Sequence, residues 1–259
     1  MLFDLPHILY MVISSIVTTG LMILCFFVVK NQKYKDIILK ISAVLTIALH
    51  FSSLYVNFFK NGQANVEEPM LFPIYPCNVA MWFLAICAFY KNKQSKVFGY
   101  IAEFTFYLGI VGGIVGIAFN EIYANAPNLA SWSTLKGLLS HSTMIFGCVY
   151  LLVGKYIKIR VKNTLSVTCG LLFLLIDGGV IIGLYKIFKL DPPNCMYLLE
   201  NPFPKIPWFN TYLIGMLGIL ITFLTTVIVE QIALPKEERW YSKIKEFINR
   251  RKQTNEWIF

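Results

Sequence analysis

Charge is scarce in this 259-residue chain: Asp, Glu, Lys and Arg make up 14% of it, against 57% hydrophobic residues. A soluble domain carries about a quarter charged residues, so a water-bounded core is excluded as the home of most of these side chains. There are six cysteines but no C-x-x-C pair and no zinc-ligand spacing, which removes the common structural metal sites. No glycine-rich phosphate loop follows an apolar strand, so nucleotide chemistry of that kind is absent, and neither a metal nor a cofactor is expected. No Pro-, Ser- or Gly-rich linker divides the chain. The net charge of +9 lacks the interleaved aromatics of a nucleic-acid module, so no nucleic-acid partner is expected.

What the sequence does have is long apolar runs. A helix of roughly 18 or more apolar residues crosses about 30 Å of hydrocarbon with every backbone group paired internally. Seven runs qualify, at 8–29, 37–59, 71–90, 97–119, 137–153, 164–185 and 209–229. The expected fold is therefore all-α, a polytopic bundle of seven transmembrane helices over 1–230 with a basic tail over 231–259. The first run has no basic segment before it and no small-residue cleavage pattern, so it reads as a span rather than a signal peptide.

Basic residues are retained on the cytoplasmic side of a membrane. Eighteen of the 23 Lys and Arg residues fall in the tail and in the loops after spans one, three and five, and five fall on the other side. That asymmetry puts the N-terminus outside and the tail inside, with anionic lipid headgroups as the partner of the excess charge. The tail places Trp240, Ile244 and Phe247 at helical spacing among Lys and Glu, the pattern of an interfacial amphipathic helix. The expected location is a multi-pass position in a bacterial-type plasma membrane.

Three groups of residues stand out inside the spans. Span two carries Ser42, Thr46, His50, Ser53 and Asn57 on one face, a polar stripe that must look into the bundle. Span six holds Asp177 near its middle, where an ionised carboxylate is costly unless paired or hydrated. Gly109, Gly112, Gly113 and Gly116 in span four form overlapping small-xxx-small patterns that let a neighbouring backbone approach.

Cys77, in Phe72-Pro73-Ile74-Tyr75-Pro76-Cys77-Asn78, and His141, in Leu139-Ser140-His141-Ser142, both fall near the outer ends of their spans. At ~1.5 Å per residue their positions put them at a common depth of roughly 6 to 9 Å. A thiol and an imidazole at one depth are the minimal parts of a nucleophile and base that could carry an acyl group as a thioester. Cys77 and Cys195 could instead pair as a disulfide across the outer face. The loop Asp191-Pro192-Pro193-Asn194-Cys195-Met196-Tyr197-Leu198, followed by Asn201-Pro202-Phe203-Pro204, is stiffened by its prolines and is placed to close over that region.

On Pro73 with Cys77, Leu139-Ser140-His141 and Asn194-Cys195-Met196-Tyr197-Leu198, the sequence resembles the YwaF-like integral membrane proteins. That group includes a vertebrate transmembrane lipid acyltransferase that remodels ether phospholipids. The resemblance implies that Cys77 accepts the acyl group, His141 is its partner, Asn194 and Tyr197 shape the pocket, and membrane phospholipids are the substrates. The sequence departs from the family pattern at Tyr75, where a His is usual, at Asn78, where an acidic residue is common, and at Cys195, where a Tyr is common. Tyr75 and Asn78 therefore join the expected substrate-binding set.

Two other readings compete with acyl transfer. In one, His50, Asp177 and the stripe of span two form the polar pathway of a small-solute transporter or receptor-like binding protein. In the other, the protein is a non-catalytic membrane scaffold.

Overall fold

The computed structural model describes residues 2–62, 72–125, 127–201, 208 and 210–253. It is all-helical among these residues, in the order α1 Leu5–Val28, α2 Gln32–Asn61, α3 Pro76–Phe89, α4 Lys96–Ala118, α5 Glu121–Asn125, α6 Trp132–Val153, α7 Asn163–Ile187, α8 Thr211–Ala233 and α9 Trp240–Gln253. Six helices, α1, α2, α4, α6, α7 and α8, are long and apolar enough to cross a membrane. The third expected span differs: α3 has only 14 residues and starts at Pro76. Pro76 disfavours helix at the residue before it, and Tyr75 accordingly sits in extended backbone at φ −119°, ψ 154°. Leu71, the expected first residue of that span, lies outside the described residues.

Local chemistry sets the helix starts. The side chains of Asp4, Asn31, Ser95 and Asn210 each accept a hydrogen bond from a backbone N–H in the first turn of α1, α2, α4 and α8. α2 ends at Gly62, whose φ of 68° is left-handed and open to glycine at little cost. α6 begins at Trp132, five residues before the expected 137, because Ser131 is its N-cap and nothing from 132 to 137 breaks a helix.

α4 is the central helix, packed against α3, α6 and α7, while α2 packs on α6 and α3. α1 flanks the bundle on α6, and α8 flanks it on α7. Both flanking helices leave long apolar faces exposed, including Val12, Ile16 and Leu24 on α1 and Met216, Ile221 and Ile228 on α8. Lipid tails are as apolar as these side chains, so association inside the bundle depends on close packing rather than on exclusion of water. The glycines of α4 supply it: a Cβ on Gly109 would lie 2.1 Å from Cys148 Sγ, and one on Gly113 would lie 2.3 Å from Ile145. The two helices touch backbone to side chain along this stripe.

At the lysine-rich end the structure buries two carboxylates. Glu103 accepts from Ser166 Oγ at 2.5 Å and faces Lys162 Nζ at 3.8 Å. Glu230 accepts from Val161 N at 2.7 Å and from Trp240 N at 3.0 Å, which ties α8 to both the α6–α7 turn and the start of α9. The tail is thus helical from Trp240 through Gln253, with Tyr241, Ile244 and Ile248 exposed. The side chain of Phe247 lies outside the described residues.

Candidate functional site

Cys77 is the second residue of α3, not the seventh residue of its span as the 71–90 apolar run suggests. The lead into the helix turns at Phe72–Ile74, is extended at Tyr75, and is held from both sides. Asn78 accepts from Tyr75 N at 3.1 Å through its side chain, closing a capping box, and Met196 N donates to Ile74 O at 2.8 Å. Ile74 is only 2% exposed. The loop after α7 therefore pins the segment that delivers Cys77, and the rings of Tyr75 and Tyr197 meet at 5.5 Å beside it.

His141 stands ten residues into α6. Its Nδ1 lies 2.7 Å from Gly137 O, and a carbonyl can only accept, so Nδ1 carries the proton and Nε2 holds a lone pair in the neutral ring. That free nitrogen is turned towards α4, where a Cβ on Gly116 would lie 2.2 Å from it. One turn along the same face, a Cβ on Gly112 would lie 3.5 Å from Cys77 Cα and Cβ. Both expected catalytic residues thus rest on neighbouring turns of the α4 glycine stripe, whose equivalent positions are ~5–6 Å apart. No hydrogen bond joins Cys77 to His141 among the described residues.

Several polar groups around His141 were not legible in the sequence. Asn120 is buried beside Gly137, where a Cβ would lie 3.2 Å from its Nδ2, and its Oδ1 accepts from Tyr123 N at 2.9 Å. Ser142 Oγ donates to Leu138 O and lies 2.9 Å from the Tyr10 hydroxyl. His7 is fully buried, with Nδ1 accepting from Phe3 N at 3.1 Å and Nε2 donating to Ile117 O at 2.8 Å. Both its nitrogens are used, so it clamps α1 to α4 rather than serving as a base. Asp4 accepts from the Tyr123 hydroxyl at 2.5 Å, which holds its carboxyl below the usual carboxylate range. The one local signal is Asp4 preceding Pro6 and His7 as an N-cap; its hydroxyl partner, Tyr123, lies over a hundred residues away.

The remaining expected residues divide. Asn194 uses its side chain on its own loop, accepting from Leu199 N and Glu200 N and donating to Glu200 O. Tyr197 and Met196 hold left-handed φ values of 55° and 51°, and Thr211 Oγ1 donates to Tyr197 O at 2.9 Å. Pro202, Phe203 and Pro204 lie outside the described residues. No disulfide joins Cys77 and Cys195 among the described residues.

His50 and Asp177 are not brought together. They stand on α2 and α7, which do not pack closely on one another among the described residues. The stripe of α2 is turned to α6: Ser42 Oγ donates to Leu39 O, and Thr46 Oγ1 donates to Ser42 O and to Thr143 Oγ1 at 3.0 Å. Below His50, Ser52 Oγ accepts from Trp132 Nε1 at 3.1 Å, while the side chains of Ser53 and Asn57 lie outside the described residues. Asp177 Oδ2 is buried with no hydrogen-bond partner among the described residues. A cavity of about 430 Å³ opens on the apolar flank between α7 and α8 and another of about 310 Å³ at the lysine-rich end; neither is lined by Cys77 or His141.

No curated protein and no solved structure matches the chain. A family model does, over residues 2–228, which covers every helix from α1 to nearly the end of α8 and with them Cys77, His141 and the 194–198 loop. The chain is a multi-pass membrane protein that belongs to the TMEM164 family.

Proposed function

We propose that this protein transfers fatty acyl groups between membrane lipids, with Cys77 as nucleophile and His141 as base. The observation that carries the reading is the shared glycine face: Gly112 under Cys77 and Gly116 under His141, with the imidazole fixed by Gly137 so that its basic nitrogen points at that face. The thiol gives its proton to His141 Nε2, and the sulfur attacks the ester carbonyl of a phospholipid. The tetrahedral intermediate collapses with loss of the lysolipid alkoxide, which takes the proton back from His141, leaving a thioester on Cys77. A second lysolipid hydroxyl then attacks the thioester, its proton passing to His141, and the acyl group leaves on the new lipid as the thiol re-forms. Water in place of the second hydroxyl makes the same site a hydrolase.

The lead and α3 together supply a seventh crossing in this proposal. The 14 helical residues at ~1.5 Å each give roughly 21 Å, and the four residues before them, turned at Phe72–Ile74 and extended at Tyr75, carry the chain on towards about 30 Å of hydrocarbon. Non-helical backbone is tolerated at that depth where it is buried in protein, as Ile74 is with its carbonyl bonded to Met196 of the 194–198 loop. The N-terminus then lies outside and the tail inside a bacterial-type plasma membrane, with Cys77 and His141 towards the outer leaflet.

The test is intact-protein mass spectrometry after incubation with mixed phospholipids. A fatty-acyl mass gain that hydroxylamine removes and Cys77→Ala lacks supports the reading. An unmodified Cys77 together with undiminished lipid turnover by Cys77→Ala sinks it. Asp177 Oδ2, buried with no hydrogen-bond partner among the described residues, favours a second reading, a binding site for a small polar solute on α7; there, solute binding would respond to Asp177→Asn and ignore Cys77→Ala.

A further inference from the structure

The cavity of about 310 Å³ at the lysine-rich end lies between the start of α2, the α3–α4 turn and the α6–α7 turn, well away from Cys77 and His141. Its frame is Asp36. That carboxylate accepts from the Tyr156 hydroxyl and from Gln32 Nε2 at 3.1 Å, and pairs with Lys93 Nζ at 3.7 Å. Lys93 also donates to Ala88 O at 3.2 Å, so its charge and its position are both committed. Three chain segments are fastened together by these bonds.

The lining that remains is cationic and donor-rich. Lys91 and Lys155 are exposed and form no ion pair among the described residues. Asn92 Oδ1 is taken by Gln94 N at 3.2 Å, which leaves its amide N–H₂ to donate into the cavity. The 30-residue α2 begins here, so the positive end of its dipole faces the same space. The rule that basic residues flank the cytoplasmic face asks only for lysines near the headgroups; it asks neither for a concave space nor for a carboxylate clamp that holds the space open.

We infer that this cavity binds a phosphate-bearing group, with Lys91 and Lys155 as its cationic contacts and the Asp36, Tyr156 and Lys93 cluster as its scaffold. The phosphate has two possible carriers, the headgroup of an anionic phospholipid in the adjoining leaflet or a soluble phosphorylated molecule. The site is independent of the acyl-transfer reading and stands or falls without it.

The experiment is a titration of the purified full-length protein in neutral detergent, followed by native mass spectrometry and by thermal unfolding. The probes are short-chain phosphatidylglycerol, phosphatidylcholine of the same chain length, and inorganic phosphate. Wild type is expected to hold one phosphatidylglycerol that phosphatidylcholine does not replace. Lys91→Gln/Lys155→Gln should weaken that binding on the order of 10- to 30-fold, as two near-surface charges are removed. Lys243→Gln/Lys245→Gln, an equal loss of charge on α9, should leave it unchanged, and Lys91→Arg/Lys155→Arg should retain it. Stabilisation by inorganic phosphate equal to that by phosphatidylglycerol identifies the soluble carrier; stabilisation by the lipid alone identifies the headgroup. The inference is overturned if neither probe binds wild type above the phosphatidylcholine background, or if the cavity and α9 variants lose binding alike.

Discussion

Gly116→Ala gives the sharpest test of the catalytic geometry. A methyl at this position would lie 2.2 Å from His141 Nε2 and 2.3 Å from Cδ2, whereas ordinary contact begins near 3.4 Å. The ring must retreat by roughly 1.2 Å, and a misplacement of about 1 Å costs on the order of 10²-fold in a reaction that needs aligned groups. The retreat also strains the Nδ1 bond to Gly137 O, worth about 1 kcal/mol. Alanine in place of glycine inside a helix returns a similar amount through propensity, ~0.8–1 kcal/mol. The fold should therefore keep its thermal midpoint within a few degrees while acyl-adduct formation on Cys77, followed by intact mass against time, falls about 10²-fold. Gly112→Ala is the internal control: its methyl would sit 3.5 Å from Cys77 Cα and Cβ, an ordinary contact, and should cost little. Acylation of Gly116→Ala at the wild-type rate, in a folded protein, would refute the assignment of His141 as the base.

Other consequences are open to direct measurement. Gly109→Ala drives a methyl to 2.1 Å from Cys148 Sγ between packed helices, an overpacking cost of ~1–3 kcal/mol that Cys148→Ala should relieve in part, since Cys148 Cβ stays at 2.9 Å; fully additive losses in the double variant would count against the contact. Glu230→Ala leaves the amides of Val161 and Trp240 without their acceptor, for a loss of ~2–4 kcal/mol and faster amide hydrogen exchange at the start of α9; unchanged exchange there would mean that Glu230 does not hold the tail. The lowered carboxyl of Asp4 contributes stability that is present above its unfolded value of 3.8 and is lost as pH falls through the lower folded value. Melting curves between pH 5 and 2 should accordingly steepen towards acid for wild type and flatten for Tyr123→Phe, and identical profiles would exclude the Tyr123 bond as the cause.

The helices were legible because lipid imposes its own pattern: apolar runs at 8–29, 97–119 and 164–185 match α1, α4 and α7 to within a few residues. The misplaced boundaries lie where hydropathy is a poor guide. The apolar run through Phe72, Ile74 and Tyr75 reads as helix by composition, but Pro76 forces the backbone extended and the Met196 amide pairs with it instead. Residues 132–136 contain Ser, Thr and Lys and look like loop by hydropathy, yet Ser131 begins α6 there and moves His141 from the fifth helical residue to the tenth. The polar stripe of α2 was visible, but not its destination, since Ser42 and Thr46 are taken up by local carbonyls and by Thr143.

Those two boundary shifts bear on the site together. Starting α6 earlier carries His141 deeper into the bundle, and starting α3 later leaves Cys77 at the head of a short helix rather than within a long one. Depth along a helix is thus no longer what relates the two residues. The relation comes from α4, where residues 112 and 116 are one turn apart and lack side chains. With a side chain at residue 116, the imidazole would have to leave its place. The stripe that reads as packing in the sequence thereby also determines how far apart a thiol and an imidazole can stand. A glycine that only lets two helices touch should tolerate any small residue to the extent that its neighbours yield; Gly116 should be intolerant in activity while permissive in stability.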